Sequence, residues 1–333
     1  MQNKRAKIVF MVVVVGAVSF AAFFHPSFFI SGSASTTSAN DVGDIAKNGS
    51  STVTPPSLSA DISAQAPGGS PTSGIATIVI ASTTTGNVAG TPPNVGSEVA
   101  LITDLTTGAH YLDINASERW PMASISKLMT AVVATNVLSR NAEITITPQM
   151  AAVDPTQKIL QVGDTYSVPD LLKIMLLPSD NVAAEAFAEF YGRDRFLAAM
   201  NAQAQAWGMM NTFYDDPSGL SAANESTAND LLKLAQHIYT DYPQILAITR
   251  TPQVTAQNLA TGKPVIIKSI NNFAGQPDFI GGKTGYTDQA DGNLLSIFEY
   301  NGRPIFVVVL GIDDGVRFDA TQELYNWFKA NFN

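Results

Sequence analysis

Two side chains three residues apart, the hydroxyl of Ser124 and the amine of Lys127, open the stretch "RWPMASISKLMTAVVATNVLSR" at residues 119–140. The spacing of Leu128, Val132, Val133 and Val137 predicts a helix over 119–140 with these residues on its apolar face. Residues i and i+3 share a helix face, so a neutral amine at 127 could take the proton of the 124 hydroxyl and turn a weak nucleophile into an active one. The same residues admit a plainer reading, in which Ser124 caps the helix and Lys127 reaches past it to water. Two further tripeptides carry chemistry. "SDN", Ser179 to Asn181, follows Pro178, which should end one helix and leave a loop before the next. "KTG", Lys283 to Gly285, lies in "FIGGKTGYT" just ahead of a hairpin signal. Taken singly, these could be turn formers, an edge-strand lysine and a bend.

The elements that must position these residues read as strands, then helices, then strands. "EVALITDLTTGAHYLDIN" predicts two strands joined through Thr107-Gly108. "VPDLLKIMLLPSDNVAAEAFAEFYG" and "DRFLAAMNAQAQAWG" make a helical middle. "GNLLSIFEYNGRPIFVVVLGI" is a hairpin about Asn301-Gly302, both of which tolerate positive φ. "VRFDATQELYNWFKANF" closes the chain as an amphipathic helix with Phe318, Leu324, Tyr325 and Phe328 on its apolar side. The order predicts an α+β fold: an antiparallel sheet flanked by helices, plus a helical subdomain.

Composition narrows the chemistry. The net charge is −9, with no basic run beyond the first seven residues, so nucleic acid is not an expected partner. There are no cysteines, which excludes disulfides and thiolate nucleophiles. His25, His110 and His237 stand far apart, so no metal site and no cofactor is expected. Lys4, Arg5 and Lys7 precede "IVFMVVVVGAVSFAAFF" at residues 8–24, a basic start and apolar run that predict export with the basic end left in the cytoplasm. Residues 1–30 are expected to form a retained single-span membrane anchor, leaving the rest extracytoplasmic; a cleaved signal, helped by the small residues of "SGSAS", is the alternative. Residues 31–97, rich in Ser, Thr, Gly, Ala and Pro, predict a flexible linker, in which only "IATIVIAS" at 75–82 has strand character.

The three motifs in the order SxxK, SDN, KTG are the set shared by penicillin-binding proteins and class A β-lactamases. With "MASISKLMTA", "LLKIMLLPSDNVAAEAFAE", "MNAQAQAWGMMNTFYDDPSGLS", "STANDLLKLAQ" and "GGKTGYTDQADGNLL", residues 98–333 resemble the D-alanyl-D-alanine carboxypeptidases of the low-molecular-mass penicillin-binding family. The resemblance implies a β-lactamase/transpeptidase-like fold, peptidoglycan stem peptides as substrate and β-lactams as inhibitors. It makes Ser124 the acylated nucleophile, Lys127 its base and Ser179 a proton relay. Asn181 would hold the substrate's amide, Lys283 and Thr284 its terminal carboxylate, and Gly285 would let the substrate strand approach closely. The oxyanion would lie between the backbone N–H groups of Ser124 and Tyr286. Burial of Lys127 beside Lys283 should hold the base neutral. Three alternatives stand beside carboxypeptidase. The motifs fit a D-Ala-specific endopeptidase equally. A class A β-lactamase needs a glutamate in an ExxLN segment, and Glu225 in "NESTAND" lacks that spacing. A non-catalytic wall-binding protein would not need the reactive residues, all of which are present.

Overall fold

The computed structural model describes residues 78–79, 90–156 and 159–332. The chain divides into two units, Met1–Gly68 and Gly69–Asn333, and every described residue belongs to the second. The anchor expected over 1–30 and nearly all of the linker expected over 31–97 lie outside the described residues. Among the described residues no helix is long and apolar enough to cross a membrane.

Within 75–82, strand β1 (Ile78–Val79) does form. Strands β2 (Val99–Asp104) and β3 (His110–Ile114) follow, turning through Gly108 at φ 71°. The helix expected over 119–140 is shorter than its periodicity suggested. A short strand β4 (Trp120–Pro121), a 3-10 turn over Ala123–Ser126 and helix α1 (Lys127–Val137) share the segment. Tertiary contacts override local pattern here. Trp120 and Pro121 pair with Ser226 and Glu225, and Ala123 is held at φ 47°. Nor is α1 amphipathic in place, for every residue from Lys127 to Ala134 is buried.

The helical middle comprises β5 (Glu143–Thr145), α2 (Pro148–Ala151), β6 (Thr165–Ser167), α3 (Val168–Leu176), α4 (Asn181–Tyr191) and α5 (Arg193–Ala206). Helix α3 starts where the Ser167 hydroxyl accepts the Asp170 N–H, and α4 where the Asp180 carboxylate accepts that of Ala183. Such caps satisfy N–H groups that a helix start leaves without partners. After β7 (Glu225–Ser226), α6 (Ala228–Asp241) and α7 (Pro243–Thr249) comes a small hairpin of β8 (Gln253–Asn258) and β9 (Lys263–Lys268) that the sequence pattern does not mark. Strands β10 (Phe279–Thr287), β11 (Asp291–Tyr300) and β12 (Arg303–Ile312) and helix α8 (Arg317–Asn331) complete the chain. As expected, β11 and β12 turn through Asn301 and Gly302, at φ 53° and 74°.

The main sheet is antiparallel, in the order β1-β3-β2-β12-β11-β10. Its inner strands are covered on both faces, which explains their near-continuous apolar runs. Leu101, Val308 and Leu310 face a core shared with α1, α3, α4 and α6. Ile102, Val307 and Val309 face a second core with Leu324, Tyr325 and Phe328 of α8. Each fully buried side chain of this size contributes about 1.5–3 kcal/mol. Between them the two cores fix the pieces that meet at one sheet edge: β10, the 3-10 turn and the start of α4.

Candidate active site

Ser124 sits inside the 3-10 turn, whose cap position is Met122, while Ser126 holds the cap position of α1. The capping role fits Ser124 no better than the snorkelling role fits Lys127, which is fully buried. The turn instead aims the Ser124 hydroxyl at the Lys127 amine, 2.9 Å away. Ser126, next to both, serves the backbone: its hydroxyl donates to the Ala123 carbonyl at 2.8 Å and accepts from Asn224.

The Lys127 Nζ has two other neighbours, the side-chain carbonyl of Asn181 and the backbone carbonyl of Ser218, each at 2.6 Å. Both carbonyls can only accept. A neutral amine has two N–H bonds and one lone pair, so donating to these two oxygens leaves the lone pair facing Ser124. Burial drives the amine towards that neutral state and brings its pKa down to about 7, against the opposing pull of the Asp216, Asp180 and Asp154 carboxylates.

The Ser218 carbonyl is held by a loop that sequence reasoning missed. The Asp216 carboxylate accepts from the Ser218 N–H and hydroxyl, the Gly219 N–H and the Ser221 N–H, at 2.6–2.8 Å. Gly219, at φ 83°, presses its backbone against the turn so closely that a Cβ there would lie 1.9 Å from the Ala123 carbonyl oxygen. The stretch "DPSG" belongs to a segment that resembles the family, but its role was not legible, because a backbone carbonyl leaves no mark on residue type.

A second group of partners forms around Lys283. Its Nζ lies 2.8 Å from the Ser179 hydroxyl and 2.9 Å from the Thr284 carbonyl, with the Thr284 hydroxyl at 3.4 Å. Ser179 occupies left-handed backbone at φ 64°, uncommon for a residue with a Cβ. That turn places the hydroxyl between α3 and α4 while Asp180 caps α4 and Asn181 begins it. Burial lowers the Lys283 pKa well below its ordinary value, and the neighbouring positive charges of Lys127 and Arg317 lower it further. The like-charge effect expected on Lys127 falls on Lys283 instead, while Lys127 is lowered by burial.

Gly285 has a packing role that the sequence did not suggest. A Cβ there would meet the Met122 carbonyl at 2.9 Å and the Ala123 Cβ at 3.2 Å, so the glycine lets β10 close on the turn that carries Ser124. Tyr286 is half-exposed, and its hydroxyl reaches Asp288 rather than either lysine group. Since β10 ends the sheet, it is the strand whose outer edge can take another backbone. Arg317, absent from the sequence-derived set, donates from Nη1 to the Gly285 carbonyl at 3.2 Å and also pairs with Asp314. Among the described residues no group of three or more His, Cys, Asp or Glu is placed to hold a metal ion. His237 is engaged elsewhere, stacked on Trp207 with ring centroids 4.3 Å apart.

A nucleophile with a buried amine, a second hydroxyl with a second buried amine, and a sheet-edge strand between them describe a serine acyl-transfer centre. Residues 86–314 match a family model described as D-alanyl-D-alanine carboxypeptidase. The chain belongs to that family. As one of the D-alanyl-D-alanine peptidases it is a serine hydrolase of the penicillin-binding class. It is 35% identical over 238 residues to a D-alanyl-D-alanine endopeptidase of Pseudomonas aeruginosa, covering 66% of this chain and 75% of that one. It is 27% identical to D-alanyl-D-alanine carboxypeptidase DacC of Escherichia coli, covering 71% of this chain and 62% of the other. The crystal structure of a Streptomyces K15 DD-transpeptidase superposes with a TM-score of 0.66 at 26% identity, over 72% of this chain and all of that one. The α+β, β-lactamase/transpeptidase-like fold expected from the motifs is the fold found.

Proposed function

We propose that this D-alanyl-D-alanine peptidase acts as a carboxypeptidase, removing the terminal D-alanine of peptidoglycan stem peptides through an acyl-enzyme on Ser124. One observation carries the acyl-enzyme step: Lys127 spends two N–H bonds on carbonyls and turns its remaining position to the Ser124 hydroxyl. The substrate lies along the edge of β10, with its terminal carboxylate against Lys283, Thr284 and Arg317. Ser124 Oγ attacks the carbonyl carbon of the penultimate residue, and its proton passes to Lys127. The oxyanion is taken by backbone N–H groups of Ser124 and Tyr286. Collapse breaks the peptide C–N bond, and the proton that Lys127 took passes through Ser179, which Lys283 holds in place, to the leaving amine, so that Lys127 is neutral again. Water then attacks the ester, Lys127 takes the proton of that water, and it returns that proton to Ser124 Oγ as the ester C–O bond breaks. A β-lactam enters by the same first step and stays on Ser124 as an ester. No cofactor has a part in this scheme.

A second reading has its own support. The relatives at 35% and 33% identity, from Pseudomonas aeruginosa and Escherichia coli, are both named D-alanyl-D-alanine endopeptidase. A cationic pocket for a carboxylate next to the scissile nitrogen suits any leaving group that carries one there. Incubation with a pentapeptide stem and with a cross-linked dimer, followed by mass analysis, separates the two. Free D-alanine from the first supports carboxypeptidase, monomer from the second supports endopeptidase, and either product persisting in Ser124→Ala overturns the assignment of the nucleophile.

We also infer that the basic and apolar start holds the enzyme at the outer face of the cytoplasmic membrane, with the part of the expected linker that precedes β1, residues 31–77, as a tether. At ~5–6 Å times the square root of its length, a coil of that size spans roughly 35–40 Å, enough to reach nearby wall.

A further inference from the structure

We propose that Asp154 is the positioning residue that sets the orientation of the Asn181 amide and, through it, aims the Lys127 lone pair at Ser124; the inference rests on Lys127 being the base. Asp154 follows α2, 27 positions before Asn181 in sequence, and its Oδ2 accepts from the Asn181 Nδ2 at 2.7 Å. Its Oδ1 accepts from the N–H and hydroxyl of Thr156, at 3.1 and 2.6 Å, which fixes the carboxylate within its own turn.

An amide side chain is nearly symmetric in shape, so what decides its orientation is the polarity of its neighbours. A carboxylate offers no proton, so it must face the Asn181 NH₂. That turns Oδ1 towards Lys127, 2.6 Å away, and obliges the amine to donate there. With Ser218 consuming the second N–H, the lone pair has one direction left. Were the amide to turn over, its NH₂ would face the amine and compete with Ser124 for the lone pair. Asn181 is buried at the start of α4, so no bulk water stands ready to substitute for the lost partner.

Asp154 acts on Lys127 in a second way, by charge. The carboxylates facing the amine are Asp216 from the 216–221 loop, Asp180 from the α4 cap and Asp154 from the turn after α2; the facing cation is Lys283 from β10. Removing one of the three anions disfavours the ammonium and shifts the acid limb of acylation to lower pH. Orientation and charge can therefore be separated by substitution. Asp154→Ala removes both. Asp154→Asn removes the charge but keeps a carbonyl that can accept from the Asn181 NH₂.

The test is the rate of Ser124 acylation by a penicillin, measured from pH 5 to 9 on the full chain and both variants, with thermal midpoints alongside. Asp154→Ala is expected to lose about tenfold to a hundredfold in the plateau rate, the scale of a misplaced reacting group. Asp154→Asn is expected to keep most of the plateau, and both variants should show an acid limb moved to lower pH. Should Asp154→Ala fail to fold, the limb and plateau of Asp154→Asn still decide. A wild-type plateau and limb in the folded variants overturn the proposal, as does a plateau that falls with no movement of the limb. Failure of the wild-type chain to acquire any adduct on Ser124 would instead overturn the underlying assignment of nucleophile and base.

Discussion

Two lysines of equal formal charge face opposite demands at this site. Lys127 must give up its proton to act, and burial brings its pKa to about 7. Lys283 is also buried and lowered, but its neighbours are the Ser179 and Thr284 oxygens at the strand edge. A substrate carboxylate arriving there restores the balance in favour of the ammonium, by the attraction that an anion gives a nearby cation. Lys283→Arg keeps the charge and is expected to retain more activity than Lys283→Ala. The alanine variant loses a charge-assisted contact of about 1–3 kcal/mol, so kcat/KM on a stem peptide should fall about 5- to 150-fold. Steady-state kinetics on the two variants check this, and an alanine variant matching the arginine one would remove Lys283 from carboxylate binding. The reactive side chains were legible in sequence because SxxK, SDN and KTG, each weak alone, together and in this order resemble a known family's set. Asp154, the Ser218 carbonyl and Arg317 were not. Their contributions come from segments remote in sequence, and one of them is a backbone group: Ser218 lies 91 positions from Lys127 and Asp154 27 from Asn181.

The turn that carries Ser124 is shaped by its neighbours more than by its own propensity. The period of Leu128, Val132 and Val133 is real, but it describes only part of the segment, since pairing with Glu225–Ser226 and the approach of Gly219 take residues 120–126 out of the helix. Such long-range contacts leave no periodic signal. The hairpins at Thr107-Gly108 and Asn301-Gly302 were legible because the turn residues themselves supply the needed positive φ. The β8–β9 hairpin was not: β8 is mostly polar, and the short apolar run Val265–Ile267 of β9 leaves Ile266 exposed. Gly219→Ala tests the packing account. Its Cβ would strike the Ala123 carbonyl, so a loss of the order of 4 kcal/mol or more is expected, with acylation of Ser124 suppressed. Gly208 has a similar φ, 69°, but a Cβ there would meet no atom within 4 Å, and Gly208→Ala should cost only ~1–2 kcal/mol. Equal thermal shifts in the two variants would show that backbone strain, not the contact with the nucleophile turn, is what Gly219 relieves.

At the scale of the molecule, the peptidase unit is closed by contacts between its beginning and its end. The Gly90 N–H donates to the Asn331 side chain and the Gly90 carbonyl accepts from the Trp327 indole, tying the entry of the chain to α8. With both faces of the sheet covered and this clasp in place, a fragment of residues 69–333 is expected to fold and to be acylated at the rate of the full chain. The full chain should sediment with membranes and the fragment should not. Thermal denaturation, acylation kinetics and fractionation of the pair check both statements. A full chain recovered as a soluble species that begins near Ser33 would make residues 1–30 a cleaved signal.

The central claim is that a neutral Lys127 takes the Ser124 proton. It is tested most directly by following penicillin acylation across pH in the wild-type chain, in Lys127→Arg and in Ser124→Ala, with the adduct mapped by mass spectrometry. The wild-type rate should rise with pH through about 7, with the adduct on the Ser124 peptide. Guanidinium stays protonated at any working pH, so Lys127→Arg should be almost inert, and Ser124→Ala should carry no adduct. Acylation of Lys127→Arg at near the wild-type rate, or an adduct that persists in Ser124→Ala, would contradict the account.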